Sequence, residues 1–476
     1  MMKTMNIKSL LLALFMPAVI AAQSARPNII FILTDDQRWD AMGIAGNPII
    51  QTPEMNALAL SGTYFKNAFS TTPICAASRA SILTGMHERT HGYTFQKPRL
   101  KQPYADLLYP KLLKQNDYHV GFFGKLGVII DSAASYFHQS DFYDRSNHPD
   151  RRGYFYKKIG SDTVHLTRYT GYQALKFIDD APRDKPFCLS LSFSAPHGHD
   201  NATDQYFWQG KSDSLYAGTR IPEPLLAEDT FFNRLPLEVR EGFNRERWKW
   251  RFDTPEKYQQ MVKGYYRMIT EIDDEIKLIR NKLREKKIAE NTIIIVMGDN
   301  GYFMGDRQLA DKWLMYDVSI RIPLIIYDPR INKPTVINEM VLNIDIPNTI
   351  LSLAGVPAPE AYQGKSLTPF LTGKNVAWHR KSIIIEHLWD FPSIPSSEGI
   401  RTDKWKYLRY RLINAPEELY DLNKDPLEQK NLAQDKNYSR VLEELRNQLE
   451  KKSNQLNNQK LCPDDPFISP QQRKSF

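Results

Sequence analysis

Cysteine is scarce. The 476 residues contain 3 of them, so a disulfide scaffold is excluded, at most one internal bridge is available, and one thiol must be left over. Long apolar runs are scarce too: past the N-terminal segment none approaches the roughly 20 residues a membrane-spanning helix needs, so no membrane insertion is expected. Charge of one sign is not concentrated anywhere. Lys and Arg number 63 against 55 Asp and Glu, a formal net charge of +8. The basic residues are scattered and no nucleic-acid-binding motif accompanies them, so nucleic acid is not an expected partner. Internal repeats are absent. What is present is an ordinary globular composition, 42% hydrophobic and 25% charged, which rules out a disordered or collagen-like chain. The length exceeds the roughly 250–300 residues at which one core usually stops growing, so a large domain with an appendage, or several domains, is expected.

Lys3 and Lys8 precede an apolar run, Leu10 to Ile20, that ends in Ala21 and Ala22. A basic start, a short apolar stretch and small residues in that order read as a secretory signal over residues 1–22. Its removal takes away two Lys and leaves a charge of +6. The mature protein is expected to be soluble and exported, to a periplasm or to the extracellular space.

Short apolar runs recur at Ile29–Leu33, Val120–Phe123, Phe187–Phe193, Ile293–Met297 and Ile322–Tyr327. Runs of this length rich in Ile, Val and Phe read as strands buried on both faces. Amphipathic stretches separate them. In the clearest, Lys257 to Lys287, residues Met261, Val262, Tyr265, Met268, Ile269, Ile272, Ile276, Ile279 and Leu283 keep helical spacing and read as core packing. The expected fold is therefore α/β, a mainly parallel central sheet flanked by helices, over residues 23–370. After a linker-like Leu371–Asn375, residues 371–476 read as a small α+β subdomain. Its short strands are expected near Ser382–Glu386, Gly399–Thr402 and Trp405–Tyr410, its final helix over Tyr438–Leu456, and an irregular tail from Asn457.

Polar residues follow the runs consistently: Thr34-Asp35-Asp36, Gly124-Lys125, Ala195-Pro196-His197 and Gly298-Asp299-Asn300-Gly301. In an open parallel sheet, ligands bind beyond the carboxyl ends of the strands. Asp35, Asp36, Asp299 and Asn300 form an all-oxygen set suited to one hard divalent cation, Ca²⁺ or Mg²⁺ rather than zinc. Either pair alone would equally suit a helix cap or a turn; their joint placement points to a metal.

In Thr72–Gly85, Pro73 and Gly85 frame a helix whose first turn carries Cys75 and, on the same face, Arg79. A helix N-terminus favours anions. Here the chain resembles the formylglycine-dependent (type I) sulfatases of the alkaline phosphatase superfamily. Their signature, Cys-x-Pro/Ala-x-Arg and then Thr-Gly, stands as Cys75-Ala76-Ala77-Ser78-Arg79 and Leu83-Thr84-Gly85. Asp35-Asp36, Asp299-Asn300-Gly301 and Lys312 follow the family's order, and Leu419-Tyr420-Asp421-Leu422 with Asp425-Pro426 extends the likeness toward the C-terminus.

The resemblance implies an alkaline phosphatase-like fold and a sulfuric ester hydrolase. It implies that a formylglycine-generating maturation enzyme oxidises Cys75, whose hydrated aldehyde attacks sulfur and later expels sulfate as the aldehyde reforms. It implies a cation, Ca²⁺ by expectation, bound by Asp35, Asp36, Asp299 and Asn300 and by the group at Cys75. By carry-over, Arg79 orients the hydrate, Lys125 and Lys312 bind sulfate oxygens, and His197 protonates the leaving alcohol. One departure stands out. Many family members have Gly-Lys-x-His after the second strand, whereas this chain has Gly124-Lys125-Leu126-Gly127.

For the substrate, His199, Asp200, Glu386, His387 and Arg401 are the expected contacts, because aromatics such as Trp389 and Phe391 mix with hydrogen-bonding groups there. A sulfated carbohydrate, of glycosaminoglycan or mucin type, is the expected substrate, resting on the resemblance and on export. Two other readings stay open. One is a glycan-binding protein with weak or no activity, which Gly127 favours. The other is a phosphomonoesterase or phosphodiesterase of the same superfamily, against which the Asn at position 300 argues, since a two-zinc site would place His ligands there.

Overall fold

The computed structural model describes residues 26–95, 99–331, 333–372, 378 and 380–462. The expected export signal, residues 1–22, residues 373–375 of the linker-like stretch and residues 463–476 of the expected irregular tail lie outside the described residues. Strands β1 (Asn28–Thr34), β2 (Thr63–Phe65), β3 (His119–Gly124), β4 (Gln139–Phe142), β5 (Phe187–Ser192), β6 (Thr292–Gly298), β7 (Leu324–Tyr327) and β8 (Thr335–Ile337) make one sheet. Its order is β8-β2-β7-β6-β1-β5-β3-β4. The run β6-β1-β5-β3-β4 is parallel throughout, so its carboxyl ends share one edge. β7 pairs antiparallel with both β6 and β2, so the last apolar run, expected to add a strand to the mainly parallel sheet, belongs to it in the opposite sense. Its first residue, Ile322, pairs instead with Ala68 in a separate small sheet, alongside Arg321 with Phe69.

Alternation along β1 divides its side chains between two cores. Ile29, Phe31 and Leu33 pack with Ala76, Ala80 and Ile82 of α1 (Cys75–Thr84). Ile30 and Ile32 belong to the opposite core, with Phe177 of α2 (Leu166–Asp180) and Ile269, Ile272 and Ile276 of α3 (Pro255–Glu285). All nine apolar positions expected from the helical spacing of α3 are in that core. Pro255 at the first turn and the Thr254 side chain, which accepts from the Lys257 N–H, start α3. The helix α4 (Asp345–Leu353) lies on the α1 side through Ile346 and Ile350.

Toward the C-terminus, β9 (Ser382–His387), β10 (Ser397–Thr402), β11 (Trp405–Tyr410) and β12 (Glu418–Asp421) form an antiparallel sheet. Ile384, Ile400, Tyr407 and Leu419 pack under Leu442, Leu445 and Leu449 of α5 (Ser439–Asn457). Ile383, Ile385 and Leu408 share a core with Phe69, Phe303 and Leu314 of the larger unit. This subdomain is thus fastened to the region just before α1, where the Glu386 N–H donates to the Thr71 carbonyl at 2.9 Å. Cys75, Cys188 and Cys462 are all free thiols. Among the described residues no helix is long and apolar enough to cross a membrane.

Candidate functional site

The edge of the parallel strands is stitched by backbone bonds between the loops that leave it. Asp35 N–H donates to Ala195 O at 3.2 Å, Asp299 N–H to Thr34 O at 3.0 Å, and Lys125 N–H to Ser192 O at 2.9 Å. Asp36 sits at φ 66°, a left-handed conformation that Asp tolerates better than most residues. Its N–H donates to Asp299 Oδ1 at 3.1 Å. Strand sequence therefore fixes the backbone, and the residues that follow are placed within a few ångströms of one another.

α1 enters this edge with Cys75 at its first turn and closes at Gly85, which has φ 68° and donates to Ser81 O. Every residue of α1 is buried; Ala76, Ala77 and Ala80 are small enough for that helix to pack closely. The Ser78 hydroxyl donates to Asp299 O at 2.6 Å. Arg79 is 2% exposed. Its Nε donates to Asp299 Oδ2 at 2.9 Å, and its Nη1 donates to Lys125 O at 2.8 Å and to Ser192 Oγ at 2.5 Å. One planar fork thereby ties α1 to the ends of β3, β5 and β6, a task a Lys could not perform.

Two lysines face the paired aspartates. Lys125 Nζ lies 2.5 Å from Asp35 Oδ2 and 3.5 Å from Asp144 Oδ2. Lys312 Nζ lies 2.6 and 2.7 Å from the two oxygens of Asp36. Lys312 is flanked by Asp311 at φ 78° and Trp313 at φ 77°, two strained non-glycine positions of the kind that cluster at functional sites. Arg247 and Arg251 both bond Asp311, and both also hold Asp200. His197 Nε2 stands 3.5 Å from Asp36 Oδ2, and its Nδ1 pairs with Gly198 O at 2.6 Å. Burial, with Arg145, Lys312 and Lys125 nearby, holds the His197 imidazole well below its usual range. Burial pushes the Cys75 thiol up, against the pull of Lys125 and Lys312. Burial, and then the charge of Asp35, push the Asp299 carboxyl up.

Buried charges cost several kcal/mol each to desolvate, so this density of them does not serve stability. Its unfinished bonding shows what it awaits. Asp35 Oδ1 and Asn300 Oδ1 are buried acceptors without a hydrogen-bond partner, and Asn300 directs its Nδ2 to Asp36 Oδ1 at 2.8 Å. Orphaned acceptors beside crowded carboxylates fit a hard cation, to be held by Asp35, Asp36, Asp299 and Asn300. Ligand atoms of Asp35, Asp36 and His197 also lie within 4.8 Å of one another. Arg79 Nη2 and Arg145 Nη1, 3.9 and 3.7 Å from Asp35 Oδ2, are buried donors without a hydrogen-bond partner, which fits an anion. The orphaned acceptors and donors adjoin, an arrangement suited to an anion beside a cation.

The structure thus brings Asp35, Asp36, Cys75, Arg79, Lys125, His197, Asp299, Asn300 and Lys312 together. The expected substrate contacts fare differently. Glu386 is fully buried, with its oxygens taken by the Arg89 N–H and guanidinium at 2.8 Å each. Arg401 is paired with Asp317 at 3.0 Å. His387 is fully buried on β9, edge-on to Trp389. His199 bonds His148 O through Nε2, and Asp200 is clamped by Arg247 and Arg251. Ion pairs or backbone bonds thus take up polar groups of Glu386, Arg401, His199 and Asp200, whereas both ring nitrogens of His387 are buried without a hydrogen-bond partner. Sequence reasoning missed Asp144, Arg145 and Asp311. It also missed Phe243 and Trp313, stacked at 5.9 Å beside Ile74, the N-cap of α1, where they join the expected aromatics Trp389 and Phe391, stacked at 4.8 Å. The Asp-Lys pair at 311–312 was a readable signal for Asp311; nothing local marked the others.

A family model described as Sulfatase matches residues 27–356, and a second, described as N-sulphoglucosamine sulphohydrolase, C-terminal, matches residues 305–455. An N-acetylglucosamine-6-O-sulfatase from Bacteroides thetaiotaomicron is 29% identical, over 91% of this chain and 87% of its own length. An arylsulfatase from Clostridium perfringens is 28% identical, over 88% and 93% of the two chains. A structure solved in complex with its substrate, D-glucosamine-2-N,6-O-disulfate, superposes with a TM-score of 0.77 at 26% identity, covering 93% of this chain and 100% of that one. With the sheet edge assembled as described and the first model spanning residues 27–356, the chain belongs to the sulfatase family, whose members are sulfuric ester hydrolases.

Proposed function

We propose that this protein hydrolyses sulfate esters of a carbohydrate, at the junction of Cys75 with the Asp35–Asp36 pair. The observation that carries the reading is the adjoining set of orphaned groups: acceptors on Asp35 and Asn300, donors on Arg79 and Arg145. A cation and a sulfate would satisfy them together. Formylglycine formed from Cys75 by a maturation enzyme supplies a hydrated aldehyde as nucleophile, which a thiol pushed up by burial does not provide. A divalent cation, Ca²⁺ in this reading, supplies positive charge against sulfate oxygens when held by Asp35, Asp36, Asp299 and Asn300.

The chain's own residues account for the rest. Arg79 fixes the first turn of α1 to Asp299, so position 75 points at a rigid edge. Lys125 and Lys312 exchange part of their contact with Asp35 and Asp36 for sulfate oxygens as charge builds there. His197, its Nδ1 bonded to Gly198 O, presents Nε2 toward the same edge and gains a proton affinity suited to an acid when an anionic ester lies against it. A saccharide is favoured by the aromatic group beside Ile74, where Trp389 and Phe243 are partly buried and Phe391 is 37% exposed. Flat apolar faces suit sugar rings. The two relatives that act on or bind sulfated glucosamine point the same way. In keeping with the sequence of residues 1–22, we place the enzyme outside the cytoplasm, in the periplasm or beyond the cell.

The test is sulfate release from a panel of sulfated mono- and disaccharides, glucosamine 6-sulfates included, using protein made in a host with a formylglycine-generating enzyme. Release that Cys75→Ala abolishes, with the aldehyde found at position 75 by mass spectrometry, is the expected result. An intact thiol in protein from its natural source, or turnover that survives Cys75→Ala, would sink the reading.

A further inference from the structure

The family's usual His is replaced by Gly127, and the structure shows what holds the neighbouring space. Gly127 has φ +70°, and a Cβ there would meet Arg79 Cδ at 2.6 Å and Lys125 Cε at 3.7 Å. No side chain can therefore leave position 127 with this backbone. The strand next to β3 brings another cationic side chain to the same edge. β4 runs parallel to β3, so the chain beyond Phe142 emerges at the same edge, and it carries Asp144 and Arg145.

Arg145 Nη1 lies 3.7 Å from Asp35 Oδ2, the oxygen that Lys125 holds, and 3.9 Å from Asp144 Oδ1. Those separations are too long for hydrogen bonds, and Nη1 is buried with no partner. The Arg145 side chain is 15% exposed, so it reaches the site from its rim. Its charge also falls on His197, more strongly than that of any other cation. A guanidinium beside Asp35, Lys125 and His197, with an unused N–H, is placed for an oxygen of the bound ester.

Resting on the sulfatase reading above, we propose that Arg145 is a substrate-contacting residue, donating through Nη1 to a sulfate oxygen beside Asp35. A guanidinium stays protonated at every working pH. It therefore contributes charge and hydrogen bonding and moves no proton.

The experiment compares the Ca²⁺-loaded parent, Arg145→Gln and Arg145→Lys by calorimetric titration with inorganic sulfate and by steady-state sulfate release, with thermal melting as the fold control. The expected result for Arg145→Gln is a loss of about 10–100-fold in sulfate affinity, the size of one hydrogen bond to a charged group, and of about 10²–10³-fold in kcat/KM. Arg145→Lys should recover part of both. Sulfate affinity within about threefold of the parent in Arg145→Gln would overturn the proposal whatever turnover does, since an Arg that merely braces Asp35 would lower the melting point and leave sulfate binding intact. A parent that neither binds sulfate nor releases it overturns the sulfatase reading itself, and that result is distinct from equal binding with and without Arg145.

Discussion

Gly127 and Arg79 interlock: the guanidinium stem of Arg79 passes through the space that a Cβ on residue 127 would need, leaving 2.6 Å between that atom and Cδ. Arg79 cannot step aside, because its Nε and Nη1 are engaged by Asp299, Lys125 O and Ser192. Gly127→His is therefore not a repair of the family pattern. It should lower kcat/KM and also the melting point, with about 1–2 kcal/mol lost to the left-handed backbone alone. A gain in turnover would show that the loop re-forms around the new side chain.

Arg79→Lys keeps the charge and loses the fork. A lysine ammonium cannot reach Asp299, the Lys125 carbonyl and Ser192 together. Breaking a buried charge pair of this kind costs about 3–5 kcal/mol when a partner is removed outright, and a Lys should recover a minor part of it. The expected outcome is a cooperative unfolding transition displaced to lower denaturant, and a fall in kcat of about 10²-fold or more with KM less affected. Near-parental kcat would mean that α1 is held at this edge by Ser78 and packing alone.

How far the sequence reached depended on whether a residue's partner was local. The ends of β1, β3, β5 and β6 were legible because continuous apolar runs stop at polar residues and parallel strands end on one side. Cys75 and Arg79 were legible from one turn of α1. The reversed sense of β7 was not, since an apolar run carries no direction. Glu386 read as a free carboxylate because its partner, Arg89, is 297 residues away along the chain. Arg145 was invisible for a related reason: it follows Gln139-Ser140-Asp141-Phe142, a half-buried edge strand with no apolar run to announce it.

Removal of the cation is the third test. A cation that binds the folded chain alone stabilises it by about 2.7 kcal/mol at a concentration 100 times Kd. Excess chelator should lower the melting point of the parent, and calcium should restore it. Asp35→Ala removes one oxygen that has no other partner and should make the melting point insensitive to both additions. A calcium-dependent shift that persists unchanged in Asp35→Ala and in Asp299→Ala would remove these residues from the ligand set.

The last prediction concerns stability away from the site. Glu271 on α3 is fully buried, and burial pushes its carboxyl up from the usual 4.5 to about 7, against the Gln209 N–H that donates to Oε1 at 2.7 Å. The folded protein thus holds a proton here that the unfolded chain releases near pH 4.5. Between about pH 4.5 and 7 the folded state binds more protons than the unfolded one, so this group's contribution falls as pH rises through that window. A shift from 4.5 to about 7 corresponds to on the order of 3 kcal/mol once both states are ionised. Glu271→Gln keeps an oxygen for the Gln209 N–H and never ionises. Its melting point should match the parent's at pH 4.5 and exceed it increasingly toward pH 8. An advantage that stays constant across that range would show that Glu271 is already ionised in the fold at low pH.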